Sequence, residues 1–236
     1  MTNGKDAVRT VVITGAFGTL GGAVARRFSG GGARLGLIDR VPVPDGALRE
    51  FAAPHVCVGG VDLANPGSAA AAMQTVAAAT GGIDVLVNVA GGFRWEPLAG
   101  GDMGTWELMF TANLKTAVAA SQAALPHLLA RGAGRIINVG AGAAARAAAG
   151  MGAYAASKAG VERLSEALAE ELKDRHVTVN TILPGTLDTP ANRAAMPAAD
   201  TTRWVEPAAV ADVAVFLASD AARAVTGAAI RVFGRG

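Results

Sequence analysis

The chain has 236 residues, of which 51% are hydrophobic and 17% charged, with a formal net charge of +2. That balance excludes a disordered chain and offers no basic block for nucleic acid. The single cysteine, Cys57, excludes a disulfide framework and a cysteine-based zinc site, and the three histidines form no metal-binding motif.

No apolar stretch of about 18 residues runs without a charge. The apolar run at residues 11–13 is too short for the core of a signal peptide. The expectation is a soluble, cytoplasmic protein, one domain over residues 1–236, with no membrane or nucleic-acid partner.

Residues 8–13 form a continuous β-branched apolar run, the pattern of a strand buried on both faces. Residues 20–30 follow with helical periodicity. Further strands are predicted at 34–38, 56–61, 84–87, 135–139, 177–183 and 229–233. Cys57 is expected to be a small core residue of the third. Helices are predicted at 66–80, 104–131, 152–175 and 207–219, with a kink at Pro126. This alternation predicts a Rossmann-type α/β fold, a doubly wound parallel seven-stranded sheet with helices on both faces. The alanine tract 143–149 reads as an ordered loop. Residues 185–205, rich in proline, read as a substrate loop.

The first motif is Gly15-Ala16-Phe17-Gly18-Thr19-Leu20-Gly21, after a predicted strand and opening a predicted helix. Glycines there allow a tight turn and let the backbone approach a pyrophosphate. The helix N-terminus adds free N–H groups. An ordinary βα turn is the plainer alternative. Asp39 stands 24 residues after Gly15, at the end of the second strand. A carboxylate there accepts from ribose hydroxyls and repels a 2′-phosphate, so NAD (as NADH) is favoured over NADP. Arg40 argues mildly the other way, or is a surface cation. Asp62 and Leu63 end the third strand, where they either flank an adenine or merely cap the strand.

The third motif is Tyr154-Ala155-Ala156-Ser157-Lys158. Tyr and Lys four apart share a helix face. An ammonium beside a phenol is expected to lower its pKa and make it a usable acid. Tyr154 is the only tyrosine in the chain.

From residue 8 onward the chain resembles the short-chain dehydrogenase/reductase superfamily. The matching segments are 14–21, Asp62-Leu63, Asn88-Val89-Ala90-Gly91, Asn113, Tyr154 to Lys158, and Pro184 to Pro190. The resemblance implies that Tyr154 is the proton donor, that Lys158 binds the nicotinamide ribose and tunes it, and that Asn113 holds a relay water. It also implies that Asn88, Val89, Ala90 and Gly91 flank the cofactor, and that Leu187 and Thr189 contact its carboxamide end. The chain departs from the family pattern at Thr19 and Val89, and above all at Ala141. That last position, 13 residues before Tyr154, carries the family's catalytic serine.

A dihydropteridine reductase branch of the superfamily lacks that serine and prefers NADH. The chain resembles it at Val89 to Phe93, at 141–154 and at 183–204. A quinonoid dihydropterin is already polarised and needs little activation. Its flat ring would fit a slot left by Gly140, Ala141 and Gly142, beside Phe93. Met196 and Trp204 are candidates for a lid, and Trp95 and Trp106 either line the site or pack a loop, packing being the favoured reading. The alternatives are a reductase of carbonyls (a dehydrogenase of secondary alcohols in reverse) and a non-catalytic NAD(H)-binding redox sensor. The small-residue helices 104–131 and 152–175 are expected to pair across a two-fold axis in a homodimer or homotetramer.

Overall fold

The computed structural model describes residues 9–47, 51 and 54–235 of the chain. Seven parallel strands form one sheet: β1 (Thr10–Thr14), β2 (Arg34–Ile38), β3 (His55–Val58), β4 (Val85–Asn88), β5 (Arg135–Val139), β6 (Thr178–Pro184) and β7 (Ala229–Val232). Their order is β3-β2-β1-β4-β5-β6-β7. The expected fold is therefore the observed one; Val8, expected to begin β1, lies outside the described residues.

The unbroken apolar reading of β1 has a direct cause. Val11 and Ile13 face one core with the helices α1 (Thr19–Gly30) and α7 (Pro207–Ala218). Val12 faces the other with α2 (Pro66–Thr80), α4 (Thr116–Arg131) and the end of α5 (Gly152–Leu172). All three side chains are fully buried, and burying each contributes about 1.5–3 kcal/mol. Among the described residues, no helix is long and apolar enough to cross a membrane.

Three expectations are corrected. The strand expected at 56–61 stops at Val58; at Gly59 the chain runs close against the backbone of residues 41–43, where a side chain would lie 2.5–2.9 Å from it. Cys57 is only partly buried, since β3 is an edge strand. The helix expected at 104–131 is interrupted before Pro126, which lies inside α4. There α3 (Met103–Met109) passes into a π-helical turn, Phe110–Lys115, before α4 begins.

Strand order reverses between β1 and β4. In open parallel sheets a ligand binds in the crevice at such a point, beyond the carboxyl ends of the strands.

Candidate active site

The turn after β1 is shaped by two glycines. Gly15 has φ +64°, and a methyl group there would lie 2.8 Å from the Ala90 backbone after β4. A methyl group at Gly21 would lie 2.0 Å from the Gly15 carbonyl oxygen. Helix α1 thus packs hard on the turn, and Gly18 at its N-cap offers no side chain to occupy the N–H groups. Thr14 completes the arrangement, its hydroxyl accepting from the N–H groups of Val89 (3.1 Å) and Ala90 (3.2 Å).

A cleft of about 610 Å³ opens above this turn. Its walls include Gly15, Phe17, Gly18, Leu20, Gly21, Asp39, Asp62 and Leu63 at one end, and Val89, Ala90, Gly91 and Phe93 at the other. Asp39 takes a 2.9 Å hydrogen bond from the Phe17 N–H and a 3.2 Å bond from the Val41 N–H. Asp62 also caps its own turn, accepting from the Ala64 N–H at 3.0 Å. Thr19 lies elsewhere, in a groove with Arg26, Arg27 and the start of α7. Asn88 does not line the cleft. It is buried, and its amide donates to Ser121 Oγ (3.1 Å) and Asn138 Oδ1 (2.9 Å) beneath the sheet ends.

At the inner end the backbone runs against the residues expected to do chemistry. A methyl group at Gly91 would lie 2.6 Å from Asn113 Oδ1 and 3.3 Å from Lys158 Nζ. The Phe93 ring meets the Tyr154 ring edge-on, with centroids 4.9 Å apart.

Asn113 sits in the π turn and is 1% exposed. Its Oδ1 accepts from the Gly92 N–H (2.8 Å), and its Nδ2 donates to the Gly92 carbonyl (3.1 Å) and Ser157 Oγ (2.9 Å). The amide thus clamps the Gly92 backbone and Ser157. Ser157 was missed in the sequence. It stands three residues after Tyr154, donates to the Tyr154 carbonyl at 2.7 Å and is fully buried. That i, i+3 spacing was the available signal.

Lys158 donates to the Val139 carbonyl at 2.8 Å and is 6% exposed. Burial pulls its pKa down to about 8 and pushes that of Tyr154 up to about 12. The expectation that the ammonium lowers the phenol is thus corrected: desolvation dominates both groups.

Ala141 is 7% exposed, between β5 and a short turn at Gly142–Ala144. The flat slot expected beside it is filled. A methyl group at Gly140 would strike Leu183 Cδ2 at 2.6 Å, and one at Gly142 the Phe233 ring at 2.8 Å.

The loop expected at 185–205 is more ordered than its prolines implied. Thr189 caps α6 (Pro190–Ala195) by accepting from the Asn192 N–H at 3.1 Å. Leu187 pairs with Val205 in an isolated bridge and accepts from Asn192 Nδ2 at 2.8 Å. Met196 ends α6, and the Trp204 N–H donates to the Thr201 carbonyl at 3.1 Å.

A family model described as short chain dehydrogenase matches residues 9–200. The chain belongs to the short-chain dehydrogenase/reductase family. D-threitol dehydrogenase of Mycolicibacterium smegmatis is 34% identical, covering 96% of this chain and 92% of the relative. Cis-4-hydroxycyclohexanecarboxylate dehydrogenase of Sinomonas cyclohexanicum is also 34% identical, covering 97% and 96%. The structure of a short-chain type dehydrogenase/reductase from Mycobacterium ulcerans superposes with a TM-score of 0.87 at 27% identity, over 96% of this chain and 89% of that one. Members of the short-chain dehydrogenase/reductase family are oxidoreductases that use NAD(P) and act on small molecules. The glycine cradle, the uncapped start of α1 and the cleft beyond them fit such a dinucleotide.

Proposed function

We propose that the chain is a cytoplasmic, NADH-preferring reductase in which Tyr154 protonates a planar, already polarised substrate of the quinonoid dihydropterin class. The observation that carries the substrate class is the Phe93 ring, 53% exposed and set edge-on against Tyr154. It offers a flat ring an aromatic face beside the acid. Ala141 supports the same reading, because a substrate needing no hydroxyl donor tolerates an alanine there.

A bound nicotinamide supplies the hydride. The chain's own residues do the rest. Tyr154, kept protonated by burial, gives its phenolic proton to the substrate atom that gains negative character. Lys158, charged at neutral pH and held through Val139, is set to bind ribose hydroxyls. Asn113 holds Gly92, and so the strand end, in place. The carboxylate of Asp39 disfavours a 2′-phosphate and supports NADH.

The names of the two curated relatives favour a second reading, a secondary alcohol or its ketone. NADH oxidation measured with a quinonoid dihydropterin and with a panel of carbonyls separates the two. Turnover of carbonyls alone selects the second reading, and binding without turnover selects a redox sensor.

A further inference from the structure

Trp95 has no part in that reading, and its surroundings are unusual. Its indole Nε1–H donates to the Ala149 carbonyl at 3.0 Å, and the neighbouring Glu96 N–H donates to the Gly150 carbonyl at 2.8 Å. Gly150 has φ +74°, and a methyl group there would lie 2.3 Å from the indole. The indole therefore rests flush on the chain four residues before Tyr154. Glu96 extends the fastening, accepting from Thr105 Oγ1 at 2.6 Å and from the Asp102 N–H. Residues 93–96 are thus riveted to the segment that leads into α5, and Phe93 is brought against Tyr154 by the same stretch of chain.

We propose that Trp95 is a positioning residue: seated on Gly150, it holds Phe93 as an apolar shield over Tyr154 and so keeps water from the phenol. The inference rests on Tyr154 being the acid of the proposed function, but it is tested without turnover. The charged groups on the elements packed here are Arg94, Glu96 and Asp102 ahead of α3, Glu107 and Lys115 on α3 and the π turn, Arg146 on the 142–151 segment, and on α5 Lys158, with Glu162, Arg163, Glu166, Glu170 and Glu171 further along it. Burial alone accounts for the state of the phenol. Releasing Phe93 admits water and favours the phenolate.

Because the chain has one tyrosine, its tyrosinate absorption reads Tyr154 directly. The measurement is the ionised fraction at a pH of about 10.5, just above the ordinary phenol value, with circular dichroism confirming the fold. In the unaltered protein Tyr154 should stay almost wholly protonated. Phe93→Ala, Trp95→Ala and Gly150→Ala should each lower its midpoint by about one unit and raise the ionised fraction several-fold. Phe93→Ala combined with Trp95→Ala should go no further than Phe93→Ala alone. Trp95→Phe keeps a ring but loses the bond to Ala149 and should shift less, and it decides the matter if the alanine variants do not fold. Trp95 variants that leave the phenol unchanged while Phe93→Ala moves it would overturn the proposal. If the titration behaves as expected but Tyr154→Phe keeps full activity, the shield stands and the proposed function fails.

Discussion

The backbone N–H of Phe17 donates to Oδ2 of Asp39 at 2.9 Å, tying the glycine turn after β1 to the end of β2. The same carboxylate lines the cleft, beside Arg40 and Asp62.

Asp39→Asn keeps an acceptor for Phe17 and removes the charge. NADH preference should fall about tenfold, an energy near 1.4 kcal/mol, mostly by improved kcat/KM for NADPH. Asp39→Ala should erase the preference and weaken both cofactors, since the turn loses its tether. Equal use of the two cofactors by the unaltered enzyme would remove this role for Asp39.

Burial of Lys158 gives the cofactor-free protein a pH signature. The folded chain releases this proton at about 8, the unfolded chain near the ordinary lysine value of 10.5. Between these values the unfolded state binds more protons, so stability rises with pH. Tyr154 acts oppositely above pH 10, where the unfolded phenol ionises and the folded one, near 12, does not. Thermal unfolding should therefore show Tm climbing from pH 8 toward 10 and falling beyond. Lys158→Met should lose the climb, and an equal climb in that variant would assign it to another group.

Gly21→Ala puts a methyl group 2.0 Å from the Gly15 oxygen. Overpacking of this kind costs about 1–3 kcal/mol. Denaturant unfolding should report that loss, and isothermal titration should report weaker NADH binding. A variant with unchanged stability and affinity would mean the turn yields freely.

Ala141→Ser tests the missing hydroxyl. A site built for carbonyls should gain about tenfold or more in carbonyl turnover, given that one such donor is commonly worth about 10²–10³. A site built for a polarised pterin should gain nothing, because that substrate needs no hydroxyl donor and a hydroxyl at this buried position is poorly paired, a cost of about 1–3 kcal/mol. A clear rise in pterin turnover would contradict the proposed substrate class.

Much of this architecture was legible because each strand carries its burial in its composition, as β1 does with Val11, Val12 and Ile13. The cradle was legible because glycine spacing and Asp39 sit at topologically fixed points. The π turn was not. Phe110–Lys115 reads as ordinary helix, and what stabilises the extra residue is tertiary, the grip of Asn113 on Gly92 and Ser157. Helix α6 hid behind prolines, although Thr189 before Pro190 is a sound N-cap and first-turn pair. Gly140 and Gly142 were misjudged for a general reason. A glycine marks missing volume in the chain, and here Leu183 and Phe233 occupy that volume.

The central claim is that Tyr154 is the acid of a hydride transfer, and Tyr154→Phe tests it most directly. NADH oxidation should be followed with whichever substrate the unaltered enzyme turns over best, alongside NADH affinity. The account predicts a loss of about 10²–10⁴ in kcat with NADH binding retained, since Lys158 and the glycine turn are untouched. A variant that keeps its rate would contradict it.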